Sequence, residues 1–298
     1  MTRYVVVLAA VLAACEGRPG PAGPQGPEGP PGTFSGQFNG DATINGGLTV
    51  SGPLTLPLGE AAGNPATSCS ALLAARPGLA SGPYWLKPSS VPAPFQAYCD
   101  MTRDGGGWTL VWSNLRGGRG KPFTELQWKA AINTLPRFSG PVSSDLESFI
   151  VYTGLKHWTP LAPAGLIRYD WAPDYDAAIA QAYICPFSFT NLSTYQITFN
   201  TPLCTQPIGS AVPGLVSLHN NGRFSAYDVD NDGNASANCA ATYGSSPWWY
   251  VSCWLGSIHG GGETSASGHY NGAYWNDSSG AWGAANGTGA GNGWIYVK

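Results

Sequence analysis

Apolar and polar positions divide the chain into stretches with different periods. Residues 4–14, YVVVLAAVLAA, form an unbroken apolar run, too short to cross a bilayer as a mature helix. From 17 to 32 the period becomes three: GRP-GPA-GPQ-GPE-GPP-G puts glycine at every third position and proline in every triplet. Only glycine fits the axis of a triple helix, so this period predicts one where three chains meet and a loose polyproline linker where they do not. From 39 to 56 the period becomes six, as NGDATI, NGGLTV and SGPLTL repeat polar-Gly-x-apolar-Thr-apolar. A turn and a short strand, three times over, predicts a small β neck. One chain buries little this way; three chains would pack Ile44, Val50 and Leu56 around one axis, which makes a homotrimer the expectation and a β-rich linker in a monomer its alternative.

Beyond a Gly/Pro/Asn-rich linker at 61–68, the chain from Cys69 to Lys298 is about 230 residues, ample to bury a core. Short apolar runs such as Trp108–Trp112 alternate with Gly-, Asn- and Ser-rich turns and predict strands. Thr124-x-x-Gln127 is a capping box that predicts a helix in LQWKAAINTL ahead of Pro136, and Ser144-x-x-Glu147 predicts a second, shorter one. The expected class is α+β: a twisted antiparallel sheet, few short helices and long irregular loops. The expected organisation is a leader at 1–14, a Gly-X-Y stalk at 15–32, a neck at 33–60, the linker at 61–68 and one domain at 69–298.

Composition sharpens the compartment. Charged residues are only 10% of the chain, and there are 41 glycines and 12 tryptophans, so the fold is loop-rich and leans on aromatic packing. A net charge of −3 gives no electrostatic reason to expect nucleic acid. Leu12-Ala13-Ala14-Cys15, at the end of the first apolar run, resembles a bacterial lipobox. The resemblance implies a signal peptide cleaved before Cys15, lipidation of that cysteine and, with Glu16 after it, an outer-membrane lipid anchor at the cell surface. An ordinary signal peptide that leaves Cys15 as a free thiol is the alternative. Setting Cys15 aside leaves six cysteines in an exported chain. Six allow fifteen pairings; the simplest is local, Cys69 with Cys99, Cys185 with Cys204 and Cys239 with Cys253. Zinc is disfavoured because no C-x2-C pair exists.

The densest chemistry lies in FSAYDVDNDGNASANCAATYGSSPWWYVSCW, residues 224–254. Asp228, Asp230 and Asp232 alternate, Gly233 follows, and Cys239 and Cys253 bracket Trp248 and Trp249. Carboxylates crowded into five residues repel one another unless a hard cation sits among them. Asx turns without metal are the competing reading. An EF-hand is excluded, because its twelfth position requires glutamate and here holds Cys239. Trp248 and Trp249 are expected in the core, and His157 and His219, without a partner pattern, read as ordinary surface or core residues. No G-x-S-x-G, H-E-x-x-H or phosphate-binding glycine loop is present, so the expectation is that the protein is not an enzyme.

Two separated motifs resemble the fibrinogen-like domains. Residues 94–111, PFQAYCDMTRDGGGWTLV, resemble their N-terminal signature through Tyr98-Cys99-Asp100 and Gly105-Gly106-Gly107-Trp108-Thr109. The acidic segment resembles the calcium and ligand region of ficolins, tachylectins and fibrinogen, and Tyr270–Trp275 resembles a third family run. The resemblance implies Ca2+ held by the side chains of Asp230 and Asp232 and the carbonyls of Asn234 and Ser236, in a loop one residue longer than the family's. Asp228 is then a loop-bracing or outer-shell group. It implies a neighbouring ligand pocket walled by Tyr243, Trp254, His269 and Tyr270, and a cis bond at Ser252-Cys253. Trp254 stands where the family usually has histidine, which exchanges an imidazole for an indole face. His259-Gly260-Gly261-Gly262-Glu263 resembles the intelectin branch, and Glu263 is a candidate second metal ligand there; a solvated glutamate in a glycine turn is the bland alternative.

The expected function is therefore calcium-dependent, lectin-like recognition of glycans, acetylated or diol-bearing, by a lipid-anchored surface protein with a short collagen-like stalk. A structural or adhesive protein whose head binds protein partners is the alternative. A hydrolase would instead require a deep cleft with two facing carboxylates.

Overall fold

The computed structural model describes residues 56–114, 127–139, 142–143, 150–172, 178–210, 212–217, 219–242, 247–253 and 292–298. These belong to one compact unit, Pro53–Lys298. Cys15, the Gly-X-Y stalk, most of the neck and the second capping box lie outside the described residues.

In chain order the elements are α1 (Cys69–Ala75), β1 (Gly82–Leu86), β2 (Phe95–Asp100), β3 (Trp108–Asn114), α2 (Trp128–Asn133), β4 (Arg137–Ser139), β5 (Ile150–Tyr152), α3 (Trp158–Leu161), β6 (Leu166–Ala172), β7 (Gln181–Asn191), β8 (Gln196–Phe199), β9 (Thr205–Ile208), α4 (Gly214–Ser217), β10 (Arg223–Ser225), α5 (Cys239–Thr242), β11 (Trp248–Tyr250) and β12 (Asn292–Val297). The main sheet runs β1-β2-β3-β12-β6-β7-β8, with β4, β5 and β9 joined at its sides. Among the described residues every strand pair is antiparallel. The last strand is central: β12 sits between β3 and β6, with Ile295 opposite Trp112 on one side and Tyr169 on the other. All six of its residues are buried, as a strand covered on both faces requires.

Aromatic rings fill the space beside this sheet. Trp112 meets Tyr152 edge to face at 5.0 Å and Trp248 at 5.4 Å. Trp158 meets Trp249 at 5.6 Å, and Phe224 meets Trp249 at 5.0 Å. Edge-to-face rings at these separations add about 0.5–1.5 kcal/mol per pair beyond the area they bury. Trp248 and Trp249 are core, as expected.

The N-terminal signature has a physical reason at each residue. Gly105, Gly106 and Gly107 all have positive φ, and a Cβ on Gly106 would collide with the Met101 carbonyl. The turn they make delivers Trp108 into the core and Asp100 into a buried ionic cluster. The Asp100 carboxylate accepts from the Arg103 guanidinium and from the backbone N–H groups of Thr102 and Arg103. Burial pushes the Asp100 pKa up, but Arg103 and those amides outweigh it and leave the carboxyl below its usual range. Arg103 also reaches Asp170 at 2.8 Å and the Tyr296 hydroxyl at 3.0 Å. Arg168, itself buried, donates to Asp170 at 2.6 Å and pairs with Asp104. Charges this deep are tolerated because each has partners.

Two local expectations change. Helix α2 starts at Trp128, with Gln127 at the N-cap and no side-chain cap bond; Thr124 lies outside the described residues. The Trp128 N–H is met instead by a distant carboxylate, Asp228, because an orphan helix amide takes whichever acceptor the tertiary fold presents. The composition of 61–68 reads as a linker, yet the stretch around it docks on β1. Trp85 N–H donates to Gly59 O at 2.8 Å, and Ala66 forms a parallel bridge with Leu86. Arg76 ties the same stretch down through Leu58 O and Glu60.

Candidate functional site: the acidic loop

The loop after β10 folds through a relay of short side-chain bonds. Asp230 Oδ1 accepts the Asp232 N–H at 3.2 Å, Asp232 Oδ1 accepts the Asn234 N–H at 2.7 Å, and Asn234 Oδ1 accepts the Ser236 N–H at 3.0 Å. Three successive Asx bonds, each spanning two residues, are what alternating Asp and Asn favour. The relay sets Asp230 and Asp232 in consecutive turns, near enough that the charge of one acts on the other. Burial and the adjacent Asp230 charge push the Asp232 pKa up, against the pull of the Cys239 and Asn234 amides. The Asx reading and the cation reading are therefore not exclusive, since each carboxylate oxygen that accepts one amide keeps a second lone pair.

Neighbouring elements fix this arrangement. Asn231 Nδ2 donates to the Phe224 carbonyl, while the Asn231 backbone N–H donates to Ser225 Oγ. Asn238 Nδ2 spans the carbonyls of Ala226 and Tyr227, and its Oδ1 accepts the Ala241 N–H, capping α5. Asp232 Oδ2 accepts the Cys239 N–H at 2.8 Å, which links the acidic pair directly to the disulfide. A Cβ on Gly233 would run into the Val251 carbonyl, so the loop lies flush against the segment after β11. Arg223 donates to the Asp232 carbonyl at 3.4 Å.

The three local cysteine pairs all form, with Cα separations of 5.5, 4.3 and 4.8 Å for Cys69–Cys99, Cys185–Cys204 and Cys239–Cys253. The expected cis bond at Ser252-Cys253 is corrected: the peptide is trans, and Cys253 instead adopts φ +44°. The left-handed residue makes the turn, and its N–H points at Cys239 Sγ, 2.8 Å away. Asn234 Nδ2 donates to Cys253 Sγ at 3.1 Å, so the acidic relay and the second cysteine share one side chain.

Of the residues expected in the site, Asp230, Asp232, Asn234 and Ser236 are brought into consecutive turns. Asp228 does different work: its carboxylate caps α2, a bracing role. Among the described residues no group of three His, Cys, Asp or Glu side chains gathers, so a hard cation would draw its remaining oxygens from carbonyls. Tyr243, Trp254, Glu263, His269 and Tyr270 lie outside the described residues. Sequence reasoning does not single out Asn238 and Arg223 as loop braces. Asn238 had one visible signal, an Asx residue directly before a four-residue helix.

Comparison with known proteins agrees with this geometry. Residues 177–289 match the family model for the fibrinogen beta and gamma chains, C-terminal globular domain. Fibrinogen C domain-containing protein 1 of Mus musculus is 29% identical over 181 residues, covering 60% of this chain and 36% of the relative. Its Xenopus laevis counterpart 1-B is 27% identical over 179 residues, with the same shares of each chain. The chain thus spans about a third of the length of these relatives. The fibrinogen beta chain of Gallus gallus is 24% identical over 226 residues, covering 69% of this chain and 49% of the relative. Among solved structures, the fibrinogen-like globe domain of human ANGPTL6 superposes with a TM-score of 0.57 at 23% identity, covering 82% of this chain and 97% of that one. Lamprey fibrin D-dimer, complexed with the peptide Gly-His-Arg-Pro-amide, gives 0.56 at 20% identity, covering 77% and 72%. With a glycine turn that delivers Trp108, three local disulfides and an acidic loop tied to the last of them, this chain has the fold of the fibrinogen-like globe domains, and its residues 177–289 match the model of the fibrinogen C-terminal globular domain.

Proposed function

We propose that the domain is a non-enzymatic recognition module whose acidic loop holds Ca2+ and presents a surface for glycans. The observation that carries this reading is the Asx relay, which sets Asp230 and Asp232 in consecutive turns with the Asp230 charge acting on the Asp232 carboxyl. A hard cation held there would take the Asp230 and Asp232 carboxylates and the carbonyls of Asn234 and Ser236, oxygen donors of the type such an ion requires. Bound there, Ca2+ would supply charge neutralisation. The chain's own residues do the rest: the Asx relay and Asn238 fix the loop, and the Cys239 amide and the disulfide couple it to the strand that precedes Cys253. A loop ordered before binding spares the ligand complex the cost of ordering it. Export with a lipid anchor at Cys15 and assembly into homotrimers through the stalk and neck complete the proposal, because several shallow sites on one particle gain avidity.

A glycan array probed with and without EDTA tests it. Chelator-sensitive binding to acetylated or diol-bearing sugars is the expected result. Absence of sugar binding, or binding indifferent to EDTA, sinks it. A second reading, recognition of protein partners, draws on the fold likeness to a fibrin bound to a peptide; it predicts capture of peptide or protein ligands with no sugar competition.

A further inference from the structure

A concavity of about 500 Å³ lies on the flank formed by the turn before α3 and the β7–β8 hairpin. That volume is within the range of small-molecule sites. Its walls are mainly carbon: Leu155, Phe187, Phe189 and Leu192 line it with the ring of Tyr195. The rings form one continuous wall, Phe187 meeting Phe189 at 5.6 Å and Phe189 meeting Tyr195 at 5.4 Å, both edge to face. Phe189 is stacked on the buried Trp249, so the wall is backed by the core.

Two further observations bear on what the concavity would take. Tyr195 has φ +45°, a conformation that is an outlier for a bulky residue and persists only where the surroundings hold it. Here Trp249 Nε1 donates to the Tyr195 carbonyl at 2.9 Å, and Phe224 N–H donates to Thr194 O. The strained turn keeps the tyrosine ring in the wall and leaves Leu192 at the tip 68% exposed. The second observation is charge: Lys156, exposed at the rim, is the one charged side chain among the described lining residues.

We propose that this concavity binds an amphiphile with one anionic end, specifically a medium-chain fatty carboxylate, with the chain against Phe187, Phe189 and Leu192 and the carboxylate at Lys156. A sugar fits it poorly. The Ser188 hydroxyl is already engaged with Thr198 at 3.2 Å, which leaves Thr159 and Tyr195 as the other lining hydroxyls; against walls that are mainly carbon, the remaining sugar hydroxyls would go without partners at a cost. This activity goes beyond the calcium reading and does not depend on it.

The test is calorimetric titration of the full chain with dodecanoate below its micelle concentration, with and without EDTA. The expected result is saturable binding unaffected by EDTA. Leu192→Glu, at an exposed position where folding is undisturbed, is expected to weaken it by about tenfold or more. Lys156→Glu is expected to lose dodecanoate and to gain dodecyltrimethylammonium. Absence of dodecanoate binding, wild-type affinity in both variants, or an unchanged headgroup preference in Lys156→Glu each overturns the proposal. Loss of chelator-sensitive sugar binding bears on the acidic loop alone and leaves this site standing.

Discussion

Replacing Asp228 with alanine separates the two jobs that a row of aspartates can do. The Asp228 carboxylate accepts the Trp128 N–H at 2.7 Å, across 100 residues of sequence. That amide opens α2, whose residues Ala131 and Ile132 are buried. Loss of an N-terminal helix acceptor costs about 1 kcal/mol, within a range of roughly 0.5–2. The variant Asp228→Asn would keep an oxygen for the amide and give up only the charge at the positive helix end, about 0.3–1 kcal/mol. With a urea m-value of about 2–3 kcal/mol/M, Asp228→Ala is expected to lower the unfolding midpoint by roughly 0.3–0.5 M, and Asp228→Asn by less. Tryptophan fluorescence follows the transition, since Trp128 packs against Tyr195 and Phe224. Terbium luminescence on the same variants reads the ion: Asp228→Ala is expected to bind nearly as wild type, whereas Asp232→Ala is expected to lose the signal. Equal stability of Asp228→Ala and wild type, or loss of terbium binding as complete as in Asp232→Ala, would refute the division of labour.

Two other outcomes follow from the same contacts. His219 is buried at 2% exposure, and burial holds its pKa down to about 4; the unfolded chain, with an ordinary value near 6.5, therefore binds more protons between those limits. Stability should be full above about pH 6.5 and fall as pH drops toward 4, by up to about 3 kcal/mol from this residue; urea melts of His219→Gln should show a shallower acid limb, and an identical one would dismiss the assignment. Opening the Cys239–Cys253 bridge with a double alanine variant, which frees a loop of sequence separation 14, should cost about 3 kcal/mol in chemical denaturation and weaken terbium binding through loss of the cross-link and of the Asn234 bond to Cys253 Sγ; unchanged ion affinity would show that the bridge does not shape the loop.

The sequence by itself determined what depends on neighbours a few residues apart. Alternating Asp and Asn dictated the Asx relay, since each side chain reaches the amide two positions on. The apolar run Trp108–Trp112 became β3, the three glycines before it became a left-handed turn, and the nearest cysteines paired. Only the tertiary structure decided the rest. No local rule places the final strand between β3 and β6, yet that insertion brings Tyr296 beside Arg103 and completes the buried cluster with Asp170. The capping box does not reveal how α2 begins, because the acceptor for Trp128 comes from another part of the chain. The trans turn at Cys253 and the carbon-walled concavity beside Tyr195 likewise arise from which strands pack together. Short-range hydrogen bonds are specified by spacing; contacts between distant parts of the chain are chosen by how the sheet closes, because only there do the buried groups find partners.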